Sequence, residues 1–279
     1  MKNIKLVALD LDGTLFDNSS HISKRNLQAI RAITDKGIHV VISTGRPFEG
    51  IPFDQIKDTG INYAITANGS GIYEISTGKC LYENAMDEAL ITPILNFLLT
   101  RDIHMDAFIG GKGYTPVQCV ETAQKLTVPS SIKNYIITTR TRLDNILQFI
   151  HENQLKVQKM TLNFYPAADG TLIDRETVRK FLTSNPSIAT VCGGYNNLEF
   201  TRADASKGVG LQKLAEILGV DPDATMAIGD TENDLAIIEA AGIGVAMGNA
   251  TDAVKAKADY VTTSNTEDGV AAAIEHFIL

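Results

Sequence analysis

The chain has 279 residues and a net charge of −8, from 25 basic and 33 acidic side chains. Its length favours two domains, and its acidic balance, without a dense Lys/Arg tract, argues against a protein that follows nucleic-acid phosphates. It has no apolar run of the roughly 20 residues that a membrane span needs, no signal-peptide pattern and no CxxC pair, so we expect a cytoplasmic protein with reduced cysteines that binds neither membranes nor nucleic acids.

The first 83 residues alternate between strand and helix patterns. Continuous apolar runs predict buried parallel strands at 4–9, 38–42 and 63–66. Apolar residues at helical spacing predict a helix over 24–36, and Pro47 is predicted to open a second helix that ends before Gly60. A hairpin of residues 71–75 and 79–82 follows. Alternating units of this kind indicate a parallel sheet with right-handed crossovers.

The middle of the chain has a different rhythm. Helical patterns are interleaved with strand patterns, and residues 110–113, which hold three glycines, predict a tight hairpin or a mobile loop. We therefore expect an inserted α+β module. Its predicted helices cover 87–100, 142–153 and 175–183, and its predicted strands cover 103–108, 135–139, 157–164, 188–192 and 198–201.

After about residue 202 the first rhythm returns. Strands are predicted at 225–228, at 243–246 and near 260, and helices at 207–218, 232–241, 251–257 and 267–278. The sequence thus predicts an α/β protein. Its Rossmann-like parallel-sheet core comprises residues 1–83 and 197–279, and an α+β cap domain of residues 84–196 is inserted into it.

Two carboxylates end the first strand pattern. Asp10 and Asp12 follow the apolar run 4–9, and Gly13 and Thr14 come next. Open α/β folds bind ligands at the carboxyl edge of their sheet, and carboxylates held close together repel unless a cation or proton lies between them. The segment is consistent either with an ordinary Asp/Gly turn or with a nucleophilic carboxylate beside a general acid.

A second acidic strand end lies in the last third of the chain. Asp230 follows an apolar run, and Asn233 and Asp234 come within the first turn of the next predicted helix. Mg²⁺ prefers an octahedral shell of oxygen ligands with few protein carboxylates. Asp10 and Asp230, with a backbone carbonyl, water and a phosphate oxygen, would supply that shell. Alone, the segment is equally consistent with a turn and a normal acidic helix start.

Two further segments carry candidate phosphate ligands. Thr44 and Gly45 follow a buried strand and offer a hydroxyl and a backbone N–H at a helix entrance. Arg46 is consistent with a phosphate or substrate contact or with a surface charge. Lys207 stands at a predicted helix start, where the helix dipole disfavours a cation. Either an anion compensates the charge of Lys207, or Lys207 is an ordinary solvated lysine.

Taken together, these segments resemble the four ordered motifs of the haloacid dehalogenase-like superfamily, and most closely its Cof-type sugar-phosphatase group. The similarity covers essentially the whole chain. The four motifs are Asp10-Leu11-Asp12-Gly13-Thr14-Leu15, Thr44-Gly45-Arg46-Pro47, Ser206-Lys207-Gly208 and Gly229-Asp230-Thr231-Glu232-Asn233-Asp234. Further family-like segments are 66–69, 198–200 and 245–250.

The resemblance implies a division of catalytic work. Asp10 would attack phosphorus and become an aspartyl-phosphate, and Asp12 would protonate the leaving oxygen and then activate water. Thr44, with the Gly45 backbone close by, would bind the transferring phosphoryl group. Lys207 would neutralise charge on the nucleophile and on the phosphoryl oxygens.

The resemblance also implies a Mg²⁺ site and a substrate pocket. Asp10, the Asp12 carbonyl and Asp230 would hold the ion, and Asn233 and Asp234 would ligate it or orient its shell. The candidate pocket residues are Arg46, Asn68, Glu199 and Asn249, although turn and capping roles fit the last three equally well.

We therefore predict a Mg²⁺-dependent phosphatase that acts on small phosphate esters, sugar phosphates above all. One alternative is a phosphotransferase or mutase that uses the same nucleophile with a hydroxyl acceptor in place of water. Another is a Mg²⁺-binding regulatory module that only accepts phosphate on Asp10. That alternative explains neither the acid at Asp12 nor the large cap. The sequence does not identify the oligomeric state.

Overall fold

The computed structural model describes residues 3–192 and 196–279. Its strands are β1 Leu6–Leu9, β2 His39–Ser43, β3 Tyr63–Thr66, β4 Gly71–Glu74, β5 Cys80–Glu83, β6 His104–Ile109, β7 Lys112–Pro116, β8 Thr141–Leu143, β9 Lys159–Asn163, β10 Ile188–Val191, β11 Leu198–Arg202, β12 Thr225–Gly229, β13 Ile243–Ala246 and β14 Tyr260–Val261. Its α-helices are α1 Lys24–Thr34, α2 Phe53–Ile56, α3 Glu88–Leu98, α4 Val117–Lys125, α5 Ser130–Thr138, α6 Ile146–Glu152, α7 Arg175–Thr183, α8 Lys207–Leu218, α9 Leu235–Ala240, α10 Asp252–Lys255 and α11 Gly269–Phe277.

The chain divides into two compact units. The first comprises Met1–Arg46, Ile51–Glu83 and Ser206–Leu279, and the second comprises Pro47–Gly50 and Asn84–Ala205. The first unit holds an eight-stranded sheet of order β14-β13-β12-β1-β2-β3-β4-β5. Its first six strands are parallel, and β4 and β5 add an antiparallel edge. The predicted α/β fold with a parallel core sheet is confirmed.

The strand order of the first unit determines where its polar strand ends meet. β1 lies between β2 and β12, with Leu9 in register with Ile42 and Ile228. β1 and β12 are fully buried and β2 is buried after His39, which explains their largely apolar sequences. Because parallel strands end at the same edge of a sheet, the residues that follow β1, β2 and β12 are brought together there.

The second unit is an α+β module with a six-stranded sheet of order β10-β11-β9-β6-β7-β8. All its strand pairs are antiparallel except β7 with β8. One sheet face carries Met105, Met160, Leu162 and Phe200, which pack with apolar residues of α3, α6 and α7 in one buried core. Alternation along the strands puts polar side chains on the other face.

That second face is polar but largely buried. His104, Asp106 and Lys159 are each 1% exposed. The ammonium of Lys159 lies 2.7 Å from a carboxylate oxygen of Glu199. Arg140 donates to Asp106 over 2.9 Å. The buried charges of Lys159 and Asp106 thus each have a partner of opposite charge. Such pairing is needed because removing a charge from water costs free energy.

The structure corrects several predicted elements. Residues 135–139, predicted as a strand, form the end of α5 and the residue after it, and α4 was not predicted. The helix predicted from Pro47 is split, because Pro52 stands just before the short helix α2. The predicted boundary at residue 197 also differs from that of the compact units. β11 pairs with β9 and β10, so the second unit extends to Ala205.

The two glycines at the start of the predicted 110–113 turn adopt positive φ angles of 57° and 80°. They form the hairpin that joins β6 to β7. Among the described residues, no helix is both long and apolar enough to cross a membrane.

Candidate active site

The central residue of the candidate site is Asp10, immediately after β1. Its backbone is extended, and its N–H donates to the carbonyl of Ile228 over 3.1 Å, which continues the pairing of β1 with β12. The side chain is buried, and its Oδ1 accepts a hydrogen bond from Nζ of Lys207 at 2.7 Å. The sheet therefore fixes the backbone of this carboxylate, and an ammonium fixes its side chain.

A tight turn over Leu11–Leu15 follows Asp10. The N–H of Leu15 donates to the carbonyl of Asp10, and Gly13 adopts a φ of +86°. A Cβ on Gly13 would lie 2.3 Å from Oδ2 of Asp230, so only glycine permits this close approach. Thr14 Oγ1 donates to Asp230 Oδ1 over 2.9 Å. The turn thus packs directly against the acidic end of β12.

Lys207 is the first residue of α8 and is completely buried. Ser206 caps the helix by accepting a hydrogen bond from the N–H of Val209. Besides Asp10, the Lys207 ammonium bonds Oδ1 of Asp234 at 2.6 Å. Burial alone would lower the pKa of Lys207, but the Asp10 and Asp234 carboxylates outweigh that effect and the pKa is raised. The solvated-lysine alternative is therefore wrong, since this ammonium is charged and enclosed.

Asp234 uses both its carboxylate oxygens within the protein. Oδ1 binds Lys207, and Oδ2 accepts the backbone N–H groups of Asp230 at 3.1 Å and Thr231 at 3.2 Å. Asn233 accepts a hydrogen bond from the Thr231 hydroxyl at 2.8 Å and lies 3.5 Å from Nζ of Lys207. Asp234 is thus placed to hold the lysine and the loop after β12.

The carboxylates of Asp10, Asp230 and Asp234 form a cluster with the chemistry of a metal site. One oxygen from each lies within 4.8 Å of the others. Burial raises the pKa of Asp10 well above its ordinary value, and the adjacent Asp234 and Asp230 raise it further against the opposing effect of Lys207. Burial and Asp234 raise the pKa of Asp230 to about 7. A single ammonium does not balance three buried carboxylates, so a hard cation fits this oxygen donor set.

Asp12 and Arg46 form an ion pair at the ends of β1 and β2. Arg46 Nε donates to Oδ2 of Asp12 at 2.9 Å, and Nη2 donates to Oδ1 at 2.6 Å. The Asp12 side chain is 55% exposed and that of Arg46 is 21% exposed. Arg46 thus has a carboxylate partner at the site, and its contact with phosphate or substrate stays a prediction.

Thr44 lies at the same sheet edge, 1% exposed after β2. Its N–H donates to the carbonyl of Ile65 at 2.9 Å, and its Oγ1 accepts the N–H of Arg46 at 3.2 Å. Gly45 follows it directly. Asn68 is buried with a φ of +57°, and its N–H donates to the Thr44 carbonyl at 3.2 Å. Thr44, Gly45 and Asn68 thus lie together after β2 and β3, within the first unit.

Two of the predicted pocket residues have other contacts. Glu199 belongs to the second unit and pairs with Lys159 there. Asn249 lies in the first unit, and its Nδ2 donates to the carbonyl of Gly13 at 2.8 Å. Sequence reasoning did not single out Asn265, which donates to the Phe16 carbonyl at 2.8 Å. It also assigned no role to Thr14, although Thr14 stands inside the first motif.

Comparisons with known proteins agree on one family. A model of the haloacid dehalogenase-like hydrolases matches residues 7–274. The chain is 34% identical to the Bacillus subtilis 5-amino-6-(5-phospho-D-ribitylamino)uracil phosphatase YcsE, over 99% of this chain and 97% of that protein. A haloacid dehalogenase-like hydrolase from B. subtilis superposes with a TM-score of 0.83 at 28% identity, covering 99% of this chain and 100% of that one. The subclass IIB sugar phosphatase BT4131 superposes with a TM-score of 0.78 at 25% identity, covering 98% of each chain.

Proposed function

The chain belongs to the Cof-type haloacid dehalogenase-like hydrolases and is a phosphoric monoester hydrolase, and from that premise we propose that it is a Mg²⁺-dependent phosphatase of small metabolites that works through an aspartyl-phosphate. The observation that carries this proposal is the contact of Lys207 with Asp10, within a buried group of carboxylates. A carboxylate is a poor nucleophile towards a phosphate dianion because like charges repel. A buried ammonium at 2.7 Å from the nucleophile reduces that repulsion where the reaction occurs.

In the first step, Asp10 attacks phosphorus through a carboxylate oxygen, and the bond from phosphorus to the ester oxygen breaks. Asp12 gives its proton to that departing oxygen. In the second step, Asp12 takes a proton from water, the water oxygen attacks phosphorus, and the bond to Asp10 breaks to release inorganic phosphate. The two steps divide one difficult displacement into two easier ones.

The phosphoryl group is held by residues at the end of β2 and at the start of α8. Thr44 offers its hydroxyl, Gly45 its backbone and Lys207 its ammonium. Asp10, the Asp12 carbonyl and Asp230 would hold Mg²⁺, which would supply positive charge beside the phosphoryl oxygens. Both oxygens of Asp234 already have protein partners, so we assign Asp234 to holding Lys207. Asn233 is an orienting residue at the edge of the site.

We assign substrate specificity to the inserted domain, residues 84–196 with the adjoining β11. We also assign the protein to the cytoplasm. The substrates of the enzyme are small phosphate esters, with sugar and sugar-alcohol phosphates first among them. The relative YcsE supports this class, because its named substrate carries a phosphorylated ribityl group. Arg46, Asn68 and Glu199 remain candidates for contact with the non-phosphate part of the substrate. The Asn249 side chain has backbone partners at Gly13 and Asn265 instead.

The test is phosphate release from a panel of sugar, sugar-alcohol, nucleotide and cofactor phosphates with Mg²⁺. The wild type is compared with Asp10→Asn and Asp12→Ala at equal concentration. We expect release by the wild type alone and the highest turnover with sugar or sugar-alcohol phosphates. A phosphorylated Asp10 that forms from a small phosphodonor without phosphate release would instead favour a phosphotransferase or a regulatory module.

A further inference from the structure

We propose that Asn249 is a positioning residue that holds the turn carrying Asp12, an inference that rests on the acid/base role proposed for Asp12. Asn249 lies outside the four motifs, after β13. Its Nδ2 donates to the carbonyl of Gly13 at 2.8 Å, and its Oδ1 accepts the backbone N–H of Asn265 at 2.9 Å. The side chain therefore bridges two backbone segments, one of which is the turn at the active site.

Asn265 adds a second connection between the same two segments. It is 8% exposed, and its Nδ2 donates to the carbonyl of Phe16 at 2.8 Å. Asn249 therefore holds the carbonyl at the apex of the turn, and Asn265 holds the residue that follows the turn. We call these two residues the asparagine clamp.

The turn needs such support at its apex. Its own hydrogen bonds connect its ends, from the N–H of Leu15 to the carbonyl of Asp10 and from the N–H of Phe16 to the carbonyl of Leu11. Gly13 lies between them, and glycine is the residue with the greatest backbone freedom. Rotation about Gly13 would move the neighbouring Asp12 backbone, including the carbonyl proposed as a metal ligand. Asn249 opposes that rotation.

The clamp also connects the turn to the acidic strand end. The loop that bears Asn249 is attached to β12 at both sides. The N–H of Met247 donates to the carbonyl of Gly229, and the N–H of Thr251 donates to the carbonyl of Asp230, each at 3.0 Å. Asn249 therefore sets the position of the turn relative to the strand that ends in Asp230.

The first test compares Asn249→Ala and Asn249→Asp with the wild type. The aspartate retains an acceptor for the Asn265 N–H but cannot donate to the Gly13 carbonyl. We expect kcat to fall roughly 10- to 100-fold in both variants with little change in KM, because displaced catalytic groups cost activity on that scale. Asp252→Asn, an exposed substitution at the start of α10, is the matched control and should behave as wild type.

A leaving-group comparison separates positioning of Asp12 from a general loss of structure. Phenyl phosphate and p-nitrophenyl phosphate have nearly the same shape, but nitrophenolate leaves without needing a proton. The loss in kcat/KM should therefore be greater for phenyl phosphate in the Asn249 variants. An equal loss for both esters, or a change confined to KM, would overturn the positioning role.

Hydrogen–deuterium exchange tests the clamp independently of any activity. The backbone amides of residues 11–16 should exchange faster in Asn249→Ala than in the wild type and the control. Unchanged exchange there would refute the clamp even if the enzyme is an active phosphatase. Faster exchange in a protein whose wild type releases no phosphate would support the clamp and reject the proposed function.

Discussion

Arg46 holds both carboxylate oxygens of Asp12 in a two-point ion pair, with distances of 2.9 Å and 2.6 Å. The guanidinium also lies 5.5 Å from the centre of the ring of Phe16, the residue that follows the turn. A planar guanidinium fixes the orientation of a carboxylate in a way that a single ammonium does not. The residue proposed as the acid and base is thus oriented by its neighbour from β2.

Arg46→Ala should lower kcat/KM by roughly 10-fold or more, because Asp12 as acid and base contributes about 10²–10⁴-fold. Arg46→Lys should restore little, since lysine cannot reproduce the two-point contact. Stability should change by less than about 1 kcal/mol in both variants, because the pair is partly exposed. Initial rates of phosphate release and thermal unfolding measure the two effects.

The matched control for Arg46 is Arg25, which makes a similar two-point pair with Glu275 on the surface. Arg25→Ala should have the same small effect on stability and none on turnover. Equal activity losses in the Arg25 and Arg46 variants would show that the Asp12 contact has no specific role.

Asp10→Asn should abolish turnover without destabilising the protein in metal-free buffer. The asparagine removes the nucleophile, and it also removes one of three buried negative charges. Burial raises the pKa of Asp10, so the ionised carboxylate costs folding free energy at neutral pH, and the neutral amide avoids that cost. The melting temperature should equal or exceed that of the wild type.

Asp234→Asn should differ from Asp10→Asn in its effect on the melting temperature. Asparagine has a single acceptor oxygen, which can face either the N–H groups of Asp230 and Thr231 or the Lys207 ammonium, but not both. Buried donors left without an acceptor cost about 1–3 kcal/mol. The melting temperature of this variant should therefore fall. A fall of the same size in Asp10→Asn would mean that the Asp10 charge stabilises the fold, contrary to the raised pKa.

Much of this site could be predicted from sequence because it lies on neighbouring parallel strands. Asp10, Thr44 and Asp230 each end an apolar run, and such ends meet at one sheet edge. The pairing of Arg46 with Asp12 could not be predicted. Sequence spacing does not tell whether an arginine at that edge faces a phosphate or a carboxylate.

The second unit was harder to predict for a physical reason. Residues 135–139 contain Ile136, Ile137 and Thr138, which are β-branched residues and favour strands. Residues 135–138 nevertheless form the last turn of α5, and Thr139 follows it. The helix is favoured here because Ile136 packs against Ala123 and Leu126 in a small apolar cluster. Tertiary packing overrides local preference here. The role of Asn265 depended likewise on a contact 249 positions away along the chain.

Mg²⁺ should raise the melting temperature, because it would bind the folded acidic cluster and not the unfolded chain. At a hundred times its dissociation constant such a ligand adds about 2.7 kcal/mol. Asp230→Asn should lose most of this shift, whereas Asp252→Asn should retain it. Calcium should support much lower turnover, because its larger and looser shell suits the site less well. A Mg²⁺ shift unchanged in Asp230→Asn would place the ion elsewhere.

Gly69→Ala should displace Lys207 and reduce activity strongly. Gly69 has a φ of +95°, and a Cβ there would lie 1.9 Å from the carbonyl oxygen of Ser206. The added methyl must displace the start of α8, which carries Lys207. Gly37→Ala is the matched control, since Gly37 has a φ of +78° with open space around its Cβ position.

Both glycine variants should lose about 1–2 kcal/mol from backbone strain. Only Gly69→Ala should also lose turnover, measured per folded molecule by phosphate release and near-ultraviolet circular dichroism. Normal turnover in that variant would show that the Lys207 position tolerates a shift of α8.

Because of His104, the free energy of unfolding should decrease as the pH drops below about 6.5, the ordinary pKa of a histidine. Burial lowers the pKa of His104, and Arg140 lowers it further, whereas Asp106 opposes the change. Nδ1 of His104 lies 3.1 Å from the amide nitrogen of Asn163, which suits a neutral ring that accepts there. The hydroxyl of Thr115 lies 3.4 Å from Nε2. The neutral imidazole is therefore the form that this network holds.

The direction of the pH effect follows from these contacts. With a lower pKa in the folded state, the unfolded chain takes up a proton that the folded protein does not, so acid favours unfolding. One such group changes the free energy of unfolding by at most about 1.4 kcal/mol per pH unit. Between pH 7.5 and 5.5 the melting temperature of the wild type should fall more than that of His104→Gln, which cannot be protonated. Parallel curves for the two proteins would mean that the buried His104 accepts its proton as readily as a histidine of the unfolded chain.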